Sequence, residues 1–128
     1  MEEKVNSDTR KIKYPTEKNV AQYLNLKGIR WKHNFPVIIN DEDRNQRVWY
    51  PDFYLPDLGL FVEVCGTEKD KREKYRRACI YKENEIPVVF LHYWKDDKQW
   101  KSFLETEINS IERGRVYEST KLKCSEQQ

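Results

Sequence analysis

Apolar residues recur along this chain at two periods, and the switches between them mark out the elements. Val20, Ala21 and Leu24, followed by Leu26, fall at helical spacing between a capping residue, Thr16, and a stop, Gly28, so a helix is expected over about 16–27. Residues 30–39 hold Trp31, Phe35, Val37, Ile38 and Ile39, types that favour strands, and the polar run 40–45 closes them. Residues 48–55 read as a second strand, in which Pro51 brings no backbone donor and belongs at an edge or an irregular position. Pro56, Asp57, Leu58 and Gly59 make a tight turn into a third strand over 60–65, so strands two and three are expected to form a hairpin.

A charged helix is expected over about 68–84, with Tyr75, Ala78 and Cys79 on the face turned to the sheet. Residues 86–94 are mostly apolar, as a buried strand requires, and Trp100, Phe103, Leu104, Glu107, Ile108 and Ile111 recur at the spacing of a third helix. The order is α-β-β-β-α-β-α. A helix between strands three and four is a crossover, which sets those strands parallel. The expected fold is therefore α/β, with an antiparallel meander and one parallel strand forming a mixed four-stranded sheet flanked by helices. Residues 14–117 then make a single domain between two polar segments, 1–13 and 118–128, that are expected to be flexible.

Composition narrows the classes. Charged residues make up 36% of the chain, above the ~25% of an ordinary domain. At 13% aromatic, however, it is no disordered polyelectrolyte, and 128 residues is one domain's worth of chain. A net charge of +2 excludes a protein that coats nucleic acid by bulk charge. Cys65, Cys79 and Cys124 form no CxxC pair and suit a reducing compartment, and with only His33 and His92 they leave few ligands for a zinc site. The start, Met-Glu-Glu-Lys, lacks the pattern of a signal peptide, and no apolar run approaches the ~20 residues that span a bilayer. A cytoplasmic protein with no membrane partner is expected.

Two carboxylates stand in apolar strands. Asp52 follows Pro51 in an aromatic segment, and Glu63 lies among Leu60, Phe61, Val62 and Val64. Burying an ionised carboxylate is costly unless it meets a cation, so neighbouring strands that each carry one invite a shared positive partner. A hard divalent metal, which takes carboxylate, carbonyl, water and phosphate oxygens, is one such partner. The alternatives are a turn-closing role for Asp52 and a structural ion pair between Glu63 and an arginine of the following helix.

These residues resemble the PD-(D/E)xK nuclease superfamily, whose fold is restriction-endonuclease-like. Pro51-Asp52 matches the PD half, and Glu63-Val64-Cys65 lies where the family has (D/E)-x-K, with ten residues between the two acids. The resemblance extends over about residues 14–112, through the order of elements, Gly66 after the motif and the acidic helix start Thr16-Glu17, and is nearest to the small Vsr-like, transposon-end-cleaving and Holliday-junction-resolving members. It implies that Asp52, Glu63 and the backbone carbonyl of Val64 hold Mg²⁺ or Mn²⁺, with Glu17 binding directly or through water, and that the metal activates water against a phosphodiester. For Glu17 the helix macrodipole offers a plainer reason for an acid in the first turn.

Cys65 departs from the pattern, because a neutral thiol cannot supply the charge of the family's lysine. Some relatives that lack it present a lysine from the next helix, which points to Lys71 first, since it shares a face with Tyr75 and Ala78, and to Lys74 second. Residues 69–82 carry seven basic side chains against two acidic ones, so Lys69, Lys71, Arg72, Lys74, Arg76 and Arg77 form a local surface for a DNA backbone. Trp31, Trp49, Trp94 and Trp100 are expected in the core. The expectation is a metal-dependent DNA endonuclease, with a dimer or partner subunit supplying specificity. Its rivals are a nuclease-derived binding or assembly module that has lost catalysis, and an interaction domain whose carboxylates form only ion pairs.

Overall fold

The computed structural model describes residues 9–65, 71–92 and 97–113. Its first helix, α1 (Pro15–Leu26), begins one residue earlier than expected. Proline at the first helical position carries no N–H to leave unsatisfied, and Tyr14 rather than Thr16 is the capping residue, without a side-chain cap. Gly28, at φ 73°, ends the helix as its lack of a side chain allows. Upstream, a 3-10 turn at Thr9–Lys11 leads into Ile12, which is 3% exposed, so the packed structure reaches into the segment expected to be loose.

Both of the first two expected strands are broken. The segment 30–39 divides into β1 (Lys32–His33) and β2 (Val37–Asn40), and the segment 48–55 into β3 (Gln46–Trp49) and β4 (Phe53–Leu55). Asn34, at φ 55°, turns the chain between β1 and β2, and Pro51 and Asp52 interrupt the second pair. The outer pieces, β2 and β3, form a separate antiparallel ribbon with Val37 opposite Trp49. The inner pieces remain in the main sheet.

That sheet has the order β1-β4-β5-β6, with β5 (Leu60–Cys65) and β6 (Val88–His92). β1 and β4 are antiparallel, β4 and β5 form the expected hairpin with Phe53 opposite Val62, and β5 and β6 run parallel with Glu63 opposite Phe90. The crossover is α2 (Lys71–Glu83), and α3 (Asp97–Glu112) follows β6. The molecule is α/β, with a mixed four-stranded sheet between helices.

Alternation along β4 and β5 separates two layers. Phe53, Leu55, Leu60 and Val62 meet Val20, Ala21 and Leu24 of α1 and Trp100, Leu104 and Ile108 of α3 in the main core, which also buries Trp31. Phe103 is 45% exposed, so the apolar stripe of α3 is narrower than its sequence suggests. On the opposite face Phe61, Tyr81 and Val88 form a smaller cluster with Trp49, Tyr54 and Phe90. Among the described residues no helix is long and apolar enough to cross a membrane. Trp94 and the segment 118–128 lie outside the described residues.

Candidate active site

Asp52 sits one residue before β4, and the β4–β5 register brings it opposite Glu63. Pro51, fully buried, has no N–H to offer β5, so the ladder stops there, and the side chain of Asp52 takes over. Its Oδ2 accepts the backbone N–H of Val64 at 2.7 Å. Asn34, whose positive φ ends β1, donates its N–H to the Asp52 carbonyl at 3.1 Å. The break in the strand is therefore what aims this carboxyl.

Glu17 is the third residue of α1 and continues the Val20-Ala21-Leu24 stripe towards the helix start, which turns it to the sheet. There it hydrogen-bonds Asp52. Its Oε1 also lies 2.9 Å from Nε2 of His33, and the two side chains are 15% and 22% exposed. His33 reaches this point because β1 pairs it with Phe53, one residue from Asp52. Burial, opposed by the Val64 N–H and reinforced by the charges of Glu17 and Glu63, pushes the Asp52 carboxyl up to about 8. Among the described residues Asp52 has no lysine or arginine partner.

Glu63, 13% exposed, has one. Its Oε2 accepts Nη2 of Arg77 at 2.5 Å and the hydroxyl of Tyr81 at 2.6 Å, and the same Nη2 lies 3.2 Å from that hydroxyl. The ion pair with an arginine of α2, an alternative open at the level of sequence, is thus present. The Arg77 guanidinium also stands 4.3 Å from the ring centroid of Trp49, which in turn meets Tyr81 edge-on at 5.1 Å. Trp49 belongs to the β2–β3 ribbon, which is tied to the end of α2 by Asn84, whose side chain bonds both the N–H and the carbonyl of Asn40.

The face that α2 turns inward differs from the expected one. Tyr75 is 41% exposed, whereas Ile80 and Tyr81 are buried, so the stripe against the sheet runs through Lys74, Arg77 and Tyr81. This removes the reason for ranking Lys71 first, since Lys71 shares a face with Tyr75; its side chain lies outside the described residues, as does Lys69. Lys74 gains instead. Burial drives the Cys65 thiol up to about 11, and the charge that most opposes this rise is that of Lys74, so of the helix lysines Lys74 is the one whose charge is felt at Cys65. Cys65 itself is 4% exposed and remains a protonated thiol at neutral pH, an apolar filler rather than a nucleophile.

The outer basic residues are already engaged or solvated. Arg76 binds Glu42 of the ribbon at 2.5 Å and Glu73 at 2.8 Å, and Arg72 is exposed. Sequence reasoning missed His33 and Tyr81. A lone histidine in a two-residue strand carries no periodic signal, and Tyr81 was one of two tyrosines in a charged helix whose apolar stripe is too sparse to orient it.

The donor set suits a hard divalent ion in kind, because the charges of Glu17 and Glu63 both act on Asp52 and, among the described residues, Asp52 lacks a lysine or arginine partner. The set is not assembled as it stands. Among the described residues no three His, Cys, Asp or Glu side chains group as ligands; Glu63 faces Arg77, and Glu17 is paired with His33. No protein-family model, curated protein or solved structure matches the chain.

Proposed function

We propose that the chain is a metal-dependent DNA endonuclease acting inside the cell, with a restriction-endonuclease-like core into which the β2–β3 ribbon is inserted. The observation that supports it most is Asp52, a partly buried carboxyl set opposite Glu63 and beside Glu17 with no lysine or arginine partner among the described residues. A divalent ion, Mg²⁺ or Mn²⁺, would neutralise this cluster, polarise the phosphodiester and lower the pKa of a water for attack. Asp52 and Glu63 are the residues that would hold it, with the Val64 carbonyl, and Glu17 would act directly or through water.

The chain's own groups have definable parts. The Val64 N–H fixes the rotamer of Asp52, and His33 fixes Glu17. Asp52 must give up its proton before it can bind a cation. Lys74 would supply the positive charge near the scissile phosphate that Cys65 cannot. Specificity would come from a second copy or a partner subunit.

A second reading is favoured by one observation: Glu63 is satisfied by Arg77 and Tyr81 without any metal. On that reading the domain binds DNA or assembles with partners and has lost catalysis. Cleavage of duplex, single-stranded, flap and four-way-junction DNA with Mn²⁺ or Mg²⁺ separates the two. The nuclease reading expects cleavage that EDTA abolishes and that Asp52→Ala and Glu63→Gln each lower by at least about a hundredfold. Salt-sensitive DNA binding without cleavage of any of the four substrates would favour the second.

A further inference from the structure

We propose that Arg77 is a displaceable counter-ion: it holds Glu63 while the metal site is empty and turns to the phosphodiester when a divalent cation takes the carboxylate. The inference rests on the nuclease reading above and adds to it a positioning residue that competes with the metal.

The geometry at Glu63 sets up the exchange. Both of its donors, Arg77 Nη2 and the Tyr81 hydroxyl, fall on Oε2. A carboxylate oxygen offers about two acceptor sites, so Oε2 is filled while Oε1 carries neither contact. A cation arriving at Oε1 would stand next to the guanidinium, and two positive charges at that separation, in a site only partly open to water, repel strongly. One of them has to move.

Arg77 has somewhere to go. Its guanidinium already lies over Trp49, 4.3 Å from the ring centroid, and within 5.7 Å of the Tyr81 ring. These contacts do not need Glu63, so the cation can leave the carboxylate and remain in the site. Once free, its N–H fork suits two oxygens of one phosphate better than an ammonium would. Tyr81 keeps its bond to Oε2 and so preserves the orientation of Glu63. The Asp52 side offers no such obstacle, because no cation occupies it among the described residues; of these two acids Glu63 is the one that must exchange its partner.

The test is Mn²⁺ affinity, measured on the full chain by electron paramagnetic resonance of free and bound ion, with duplex oligonucleotide binding followed in parallel. Arg77→Gln, which keeps hydrogen-bonding capacity and removes the charge, is expected to bind Mn²⁺ at least tenfold more tightly than the parent chain. With Mn²⁺ saturating, it is expected to bind the oligonucleotide at least threefold more weakly. A merely structural pair would also release Glu63 to the metal, but it predicts unchanged oligonucleotide binding at saturating Mn²⁺, so a gain in metal affinity without that loss overturns the inference. Equal or weaker Mn²⁺ binding by Arg77→Gln also overturns it while leaving the nuclease reading in place. Absence of Mn²⁺ binding in both parent and variant overturns both. Should Arg77→Gln fail to fold by circular dichroism, Arg77→Lys replaces it. Lysine is shorter and lacks the guanidinium fork, so it holds Glu63 less firmly and should give a gain of about threefold, and unchanged affinity there counts against the proposal equally.

Discussion

The two faces of the central sheet are held by different forces. Towards α1 and α3, Phe53, Leu55, Leu60, Val62, Val89 and Leu91 are sealed in a continuous apolar layer, where stability follows from area removed from water. Towards α2 only Phe61, Tyr81 and Val88 are buried in the cluster, beside a glutamate and an arginine that must satisfy each other. A face of the first kind tolerates no polarity and needs no specific partner. On the second, every group constrains the next, so substitutions there redistribute charge before they open cavities. The proposed site lies at the end of the sheet where both meet, with Glu17 reaching in from the first side and Arg77 from the second.

The comparison is broken most forcefully from the apolar side. Phe53→Ala removes a fully buried ring between Trp31 and the core, and a loss of about 3–5 kcal/mol is expected in urea denaturation. A loss well under 1 kcal/mol would mean that this face does not carry the fold.

Asp52→Asn acts in the opposite direction. In the folded chain the carboxyl holds its proton up to about pH 8, whereas in the unfolded chain it releases it near 4. Between those values unfolding releases a proton, so metal-free stability falls as pH rises from about 4 to 8. The asparagine variant lacks this dependence. It should be more stable than the parent by roughly 2–4 kcal/mol at pH 7.5, and no more stable at pH 4. Parallel stability curves across this range would show that Asp52 is not held protonated.

Smaller effects sharpen the contrast. Tyr81→Phe keeps the ring that fills the α2 cluster and removes one donor from Glu63, so about 1 kcal/mol of stability should be lost, against several for a cavity on the other face. At the bottom of the scale stands Arg30→Ala. Its pairing with Asp57 is exposed on both sides, and no measurable shift in Tm is expected.

Local patterns carried the order of elements a long way. The helix ended by Gly28, the β4–β5 hairpin and the parallel β5–β6 pair all follow from spacing, turn residues and the crossover rule, and each is observed. So does the placing of Asp52, just before β4, across the hairpin from Glu63. Spacing failed where neighbours in space decide. Trp31 through Ile39 reads as one strand because strand-forming types are continuous there, yet Asn34 at positive φ redirects the chain and frees β2 to pair with β3 alone. The face of α2 was misassigned for a related reason. Among Tyr75, Ala78, Cys79, Ile80 and Tyr81 no narrow stripe dominates, and only contact with Trp49 and Glu63 selects the one through Arg77 and Tyr81.

What the amino-acid order determined by itself, then, was an α/β chain carrying two acids across a hairpin and a basic helix beyond them, since backbone preference and hydrophobic period are properties of neighbouring residues. The tertiary structure alone decided their chemistry. Among the described residues it left Asp52 without a cation, gave Glu63 one, and brought His33 to Glu17, because burial and charge pairing depend on groups sixteen or fourteen positions apart that only the folded sheet sets side by side.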